Sequence, residues 1–153
     1  MSIIYLLFIV IVLDTVLNLI VLHIPLFENV SFKEVSHWTK EWSVTKWFIM
    51  VIFVAPIVET AFFQCFLILL AKYVLSKMNV KYDIIPIMLS AICFGLNHLF
   101  NLGYIIVTFL MGVVYGYLYI AVRRKGANGF ITVSLVHSLH NLYPFLNDIV
   151  LRK

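Results

Sequence analysis

The chain reads as an all-α polytopic membrane bundle of about five transmembrane helices, and three observations lead there. Its composition is 63% hydrophobic and only 12% charged, with a mean hydropathy of +1.05, whereas a soluble domain carries about 25% charged residues. The apolar residues gather into runs comparable to the roughly 20 residues a helix needs to cross a hydrocarbon core. Three of those runs hold stranded polar side chains: Glu59, His98, and His137 with Asn141. An ionised group near mid-membrane costs about 2.5–3.5 kcal/mol on insertion scales. Packing alone does not call for such groups, so a shared polar site inside the bundle is the first hypothesis.

Backbone groups in lipid must bond internally, which makes helices the reading for each run. The first runs from about Ile3 to Ile24 and ends at Pro25. It has no basic leader and no small-residue cleavage site after it, so a retained helix is expected rather than a signal peptide. Ser31 to Ser43 differs in pattern. Ser31-Phe32-Lys33-Glu34 matches a capping box, and Phe32, Val35, Trp38 and Trp42 follow at helical spacing. A short helix lying in the membrane interface suits that stretch. The second run, Lys46 to Lys77, exceeds one span and is expected to tilt, bend near Pro56 or project from the bilayer. The third covers about Ile84 to Asn101, the fourth Tyr104 to Val122 and the fifth Gly129 to Leu151. The 153 residues suffice for one membrane domain, 1–153, with the first span and interfacial segment in 1–45 and the core in 46–153.

The net charge of +4 sits in the loops, which suits anionic lipid headgroups, and no basic run is long enough to act as a nucleic-acid arm. The partners implied are membrane lipids, with no nucleic acid. The two sides of the membrane carry six and five positive charges. The dense Arg123-Arg124-Lys125 loop favours an inside N-terminus, but six against five leaves orientation open. Cys65 and Cys93 fall in apolar segments without metal-type spacing and are expected to be buried packing residues.

Glu59, in Ala55-Pro56-Ile57-Val58-Glu59, is a candidate proton acceptor or a structural carboxylate bonded to a neighbouring helix. Phe94-x-x-x-His98 places a ring and an imidazole one turn apart on one helix face, beside Asn97 and Asn101. His137 and Asn141 are also i, i+4, and His140 is the rival for the place of His137. Interhelical hydrogen bonding is the plain alternative for each residue alone. Together they supply a base, a second proton carrier and two oxyanion donors, as water attack on an amide requires. They equally form a set that zinc accepts, Glu59, His98 and His137, although no His-Glu-x-x-His pair is present on one helix.

These segments resemble the CPBP family of intramembrane proteases, which includes Ras-converting CAAX endopeptidases and bacterial bacteriocin-processing or self-immunity (Abi) proteins. The family pattern is Glu-Glu-x-x-x-Arg, then Phe-x-x-x-His, then His-x-x-x-Asn on successive core helices. The chain reads Glu59-Thr60-Ala61-Phe62-Phe63-Gln64, then Phe94 to His98, then His137 to Asn141. Ala55-Pro56 and Gly112-x-x-x-Gly116-Tyr117-Leu118-Tyr119 also look like the family, and the resemblance covers roughly residues 50 to 145. It implies four helices forming a protease-like core in a multi-pass integral membrane protein, in the plasma membrane if the chain is bacterial. It implies that Glu59 activates a water with help from His98 while His137 and Asn141 stabilise the oxyanion. The substrate would be a membrane-associated or lipid-modified protein or peptide. No cofactor is implied, with zinc the alternative.

Two departures stand out. Thr60 replaces the second glutamate and Gln64 the arginine, positions spaced as a helix ion pair. Loss of both charges together fits replacement of a structural pair. It also opens a second reading, a non-catalytic relative acting in bacteriocin immunity or peptide binding. A small transporter or channel is a third, disfavoured by the lack of inverted repeats. Gly112 and Gly116 are expected to serve close helix packing, Asp14 and Asn18 to pair with the bundle, and Tyr104, Tyr115, Tyr117 and Tyr119 to pack or lie at the interface. His98 precedes Gly103 by only about 7 Å of helix rise. The turn Asn101-Leu102-Gly103 is therefore expected below the membrane surface, beside a water-accessible cavity.

Overall fold

The computed structural model describes residues 4–5, 8, 10–13, 15–16, 41–99 and 102–151. Asp14, Asn18, Asn101 and nearly all of the interfacial segment 31–43 lie outside the described residues. Those described in the first apolar run are helical, and Val10 is buried in the main core. Four helices follow: α1 (Val44–Lys77), α2 (Ile84–Leu96), α3 (Leu102–Arg124) and α4 (Gly129–Leu151). The chain is all-α among the described residues. By length and composition, α1 and α3 can cross a bilayer, whereas α2 is apolar but has only 13 residues.

Helix α1 starts where the Ser43 hydroxyl accepts the Lys46 N–H, the usual N-cap arrangement. It then runs for 34 residues, with two π-helical stretches, Met50–Val54 and Thr60–Leu67. Pro56 lies between them. Its ring clashes with the carbonyl four residues back, and a widened turn relieves that clash. The bend expected near Pro56 is thus accommodated as a change of helical register. Asn79 turns the chain at φ 57, a conformation asparagine tolerates better than most residues.

Helix α2 ends sooner than the apolar pattern suggests. Its last helical residue is Leu96, with Asn97 as the C-cap. His98 therefore lies beyond the helix, its N–H bonded to the carbonyl of Gly95. The polar pair Asn97-His98 sits where hydrophobic periodicity can no longer be satisfied, and the chain turns back into α3. Helices α2 and α3 form a close antiparallel hairpin. A Cβ on Gly112 would lie 2.9 Å from the Ala91 Cα, and one on Gly116 would lie 3.2 Å from Ile87. Both glycines serve close packing, as their spacing predicts.

The hairpin packs on Thr60–Lys77 of α1, whereas Met50–Glu59 packs chiefly on α4. This gives the bundle two storeys. One holds the four-helix core of Phe63, Ile68, Ile87, Phe94, Tyr115, Leu118 and Val133. The other holds Trp47, Ile52 and Phe145, with the Trp47 and Phe145 rings 4.5 Å apart. Helices α1 and α4 thus continue past the turn between α2 and α3. The outer surface is as apolar as the core, with Phe53, Val58, Phe62, Phe66, Leu135 and Leu139 all exposed. That is the pattern of a bundle solvated by lipid. Cys93 is exposed on this surface and Cys65 is half-buried, which corrects the expectation that both are buried. On α2, Cys93 falls beside Ile92 on the outward face rather than beside Ala91 and Phe94.

Replacing Gly112 by alanine is expected to cost about 1–3 kcal/mol by overpacking, read as a lower unfolding temperature in detergent micelles. Gly126→Asn, in an open left-handed turn, is expected to leave that temperature nearly unchanged.

Candidate active site

Glu59 is the residue of α1 at the junction of the two storeys, immediately before the stretch that the hairpin covers. Two imidazoles reach it from opposite partners. His98 Nε2 lies 3.9 Å from Glu59 Oε1, and His137 Nε2 lies 3.6 Å from Glu59 Oε2. The three side chains picked out in separate apolar runs therefore converge. The carboxylate is one-fifth exposed and His137 is buried, so the group has one face toward the outside and one toward the core.

The orientation of His98 follows from a single hydrogen bond. Its Nδ1 lies 2.8 Å from the carbonyl oxygen of Phe94. A carbonyl only accepts, so this nitrogen carries the hydrogen. In the neutral ring, Nε2 then turns a lone pair toward Glu59. Two acceptors 3.9 Å apart need a proton donor between them, and a water donating to both would meet that need. His98 does not share a helix with Phe94 at this point, yet the i, i+4 relation survives through this bond and a ring contact of 4.8 Å.

Phe94 is the packing hub of the site. Its ring lies 5.8 Å from His137, 6.2 Å from Tyr115 and 5.3 Å from Phe63. Tyr115 in turn lies 4.9 Å from the His137 ring, and Tyr104 lies 5.7 Å from His98. These two tyrosines belong to the site wall, a place that sequence reasoning left to general packing. The available signal was their spacing. Positions 104, 108, 111 and 115 fall on one face of α3 at helical period, and Thr108, Met111 and Tyr115 are buried there.

Asn141 is held differently from the other three. Its side-chain Nδ2 donates to the carbonyl of Val51 at 2.9 Å. In the π register a carbonyl bonds the N–H five residues on, as Met50 does with Ala55. The partner of Val51 in that register is residue 56, which is proline and has no N–H. Pro56 therefore frees the carbonyl that Asn141 caps, and the bond ties α1 to α4 one turn from His137. An amide nitrogen carries two hydrogens, so one remains for another acceptor. In the second π stretch the carbonyl of Phe63 is taken by the Ser90 hydroxyl at 2.9 Å.

Thr60 and Gln64 are completely buried in that second stretch. Neither the Thr60 hydroxyl nor the Gln64 amide finds a hydrogen-bond partner among the described residues. They occupy the positions of the resembled ion pair without a hydrogen bond between them. His140 is half-buried, and it is His137 that meets Glu59.

Glu59, His98 and His137 are donors of the type zinc accepts. Among the described residues, however, no three His, Cys, Asp or Glu side chains are grouped so as to hold a metal ion.

The fold and site together define a helical membrane protein with an acid–histidine centre between its helices. Residues 41–143 match the Rce1-like family, type II CAAX prenyl endopeptidase Rce1-like, and the chain belongs to that family. The match contains Glu59, His98, His137 and Asn141. No curated protein and no solved structure matches the chain.

The Val51–Asn141 bond makes a specific coupling expected. Asn141→Ala should cost about 1–3 kcal/mol by leaving a carbonyl unpaired. In a Pro56→Ala background the restored N–H can serve Val51, and the cost should fall by at least half. Unfolding of the four proteins in one detergent measures both numbers.

Proposed function

We propose that the chain is an intramembrane endopeptidase that hydrolyses a peptide bond in a membrane-associated or lipid-modified protein or peptide. The observation that carries this reading is the Glu59 carboxylate held between His98 and His137 at 3.9 Å and 3.6 Å. Membership of a family described as CAAX prenyl endopeptidases supports the substrate class.

In the proposed mechanism a water lies between Glu59 and His98 and donates to both. Glu59 takes one proton as the water oxygen attacks the scissile carbonyl carbon. The carbonyl oxygen becomes an oxyanion, which His137 Nε2–H and the second N–H of Asn141 stabilise. Collapse re-forms the carbonyl and breaks the C–N bond. The proton held by Glu59 passes to the departing amine. No metal ion is needed in this scheme. His98 is kept in the working tautomer by Phe94, and Asn141 is oriented by the Val51 carbonyl.

The second reading is a non-catalytic, peptide-binding relative. The observation favouring it is that Thr60 and Gln64 stand buried and without hydrogen bonds where the resembled pattern carries a glutamate and an arginine.

One assay separates the two. The wild-type protein is expected to cleave a membrane-tethered prenylated peptide, with Glu59→Gln and His98→Ala each losing at least about a hundredfold in rate. Chelator is expected to leave the wild-type rate unchanged. Absence of cleavage by wild type, together with binding of the same peptide by both variants, would favour the non-catalytic reading. Cleavage abolished by chelator and restored by zinc would overturn the metal-free scheme.

A further inference from the structure

Helix α3 contributes none of the four side chains to which the chemistry is assigned, yet one of its rings flanks His137. Tyr115 is completely buried. Its ring centroid lies 4.9 Å from that of His137, with the two planes 34° apart. Phe94 meets the same imidazole edge-on, at 5.8 Å and 81°. Both separations lie in the range at which aromatic rings pack specifically. The local sequence delivers Tyr115 to this place, between Gly112 and Gly116. A Cβ on Gly112 would lie 2.9 Å from the Ala91 Cα and 3.2 Å from the Phe94 ring. The absent side chain therefore lets α2 and its Phe94 lie against α3, and Tyr115 stands beside that seam, 6.2 Å from the Phe94 ring.

His137 depends on such packing more than His98 does. In His98 the bond from Nδ1 to the Phe94 carbonyl fixes both tautomer and ring direction. A histidine is ordinarily oriented in this way, by the hydrogen bond of the nitrogen that faces away from the chemistry. The corresponding nitrogen of His137, Nδ1, is buried and has no hydrogen-bond partner among the described residues. Nε2 faces the Glu59 carboxylate at 3.6 Å, an acceptor when ionised, which places the hydrogen on Nε2. The direction of the ring is then left to that one polar contact and to the flanking rings. In a close-packed interior, a turn about the Cβ–Cγ bond would drive an edge of the imidazole into Tyr115.

We propose that Tyr115 is a positioning residue for His137, its ring confining the imidazole so that Nε2–H stays aimed at the Glu59 side of the site. The face of the ring does this, and the hydroxyl is not required. The consequence for turnover rests on the endopeptidase reading, in which His137 Nε2–H stabilises the oxyanion. The confinement itself is a property of the folded chain and can be measured without substrate.

The test is the ¹⁵N spectrum of the imidazoles of the full chain in detergent micelles, at a pH well above the ordinary histidine range. The signals lost in His137→Gln identify His137. In wild type it should show one hydrogen-bearing nitrogen, Nε2, and one bare nitrogen, Nδ1. In Tyr115→Leu the two signals should draw together as ring rotation mixes the tautomers. Tyr115→Phe keeps the ring and should keep the wild-type pattern, as should Tyr117→Leu, at an exposed position of the same helix. Tyr115→Met, a flexible filler of the same space, gives the same reading should the leucine variant not fold. Leu118→Ala opens a cavity about one turn farther along α3 and should lower the unfolding temperature without altering His137. On a membrane-tethered prenylated peptide, Tyr115→Leu should lower kcat about tenfold with KM within about twofold, and Tyr115→Phe should restore kcat. A wild type that cleaves nothing would remove the endopeptidase reading, and the spectra would still decide the positioning. An unchanged His137 pattern in both Tyr115→Leu and Tyr115→Met would overturn the proposal. So would a loss in Tyr115→Phe as complete as in Tyr115→Leu, an equal change in Leu118→Ala, or a wild-type kcat in Tyr115→Leu.

Discussion

A proline inside a membrane helix withholds one N–H, and in α1 the carbonyl left over is that of Val51. In water that carbonyl would be solvated at little cost. In hydrocarbon it must find a donor within the protein, and the donor it finds is Asn141. The π register around Pro56 and the asparagine on α4 are therefore one structural device. The bond fixes where α4 lies on α1, and one turn along α4 it brings His137 to Glu59. In the second π stretch the Ser90 hydroxyl donates to the Phe63 carbonyl, joining α1 to α2 without a proline being involved. Two bonds of the same kind thus anchor two of the helices that bring histidines to the carboxylate.

The rest of the site depends on a length mismatch. Helix α2 stops after 13 residues, a rise of about 20 Å, against a hydrocarbon core of about 30 Å. Its polar end, Asn97-His98, is therefore delivered to the level of Glu59 rather than carried past it. Helices α1 and α4 continue beyond and close over one another through Trp47 and Phe145. Leu99 and Leu102, on either side of the connection to α3, are exposed. The Glu59 side chain is left one-fifth exposed.

Much of this was legible in the residues. Glu59, His98 and His137 were each conspicuous because an ionisable group in an apolar run has to be explained, and they do converge. The Gly112 and Gly116 spacing likewise foretold the close hairpin. What escaped was backbone detail. The end of α2 at Leu96 is hidden in the sequence because Leu99 and Phe100 resume the apolar composition immediately after Asn97-His98. Pro56 announced a bend, but its consequence for Val51 depends on the π register, which no local pattern specifies. The bond from Asn141 joins residues 90 apart in sequence, so its spacing to His137 suggested only a shared face. Tyr104 and Tyr115 were passed over because a tyrosine in a membrane helix has many ordinary uses, and only their position opposite the imidazoles distinguishes them.

The proposed chemistry turns on Glu59 acting on a water rather than on the peptide itself. Single-turnover cleavage of a membrane-tethered prenylated peptide in ¹⁸O-labelled water, followed by mass spectrometry of product and protein, tests this most directly. The account predicts one ¹⁸O in the newly formed carboxyl terminus and none in Glu59. Label in the Glu59 carboxyl group would mean that the side chain attacks the carbonyl and is itself hydrolysed, which would contradict it.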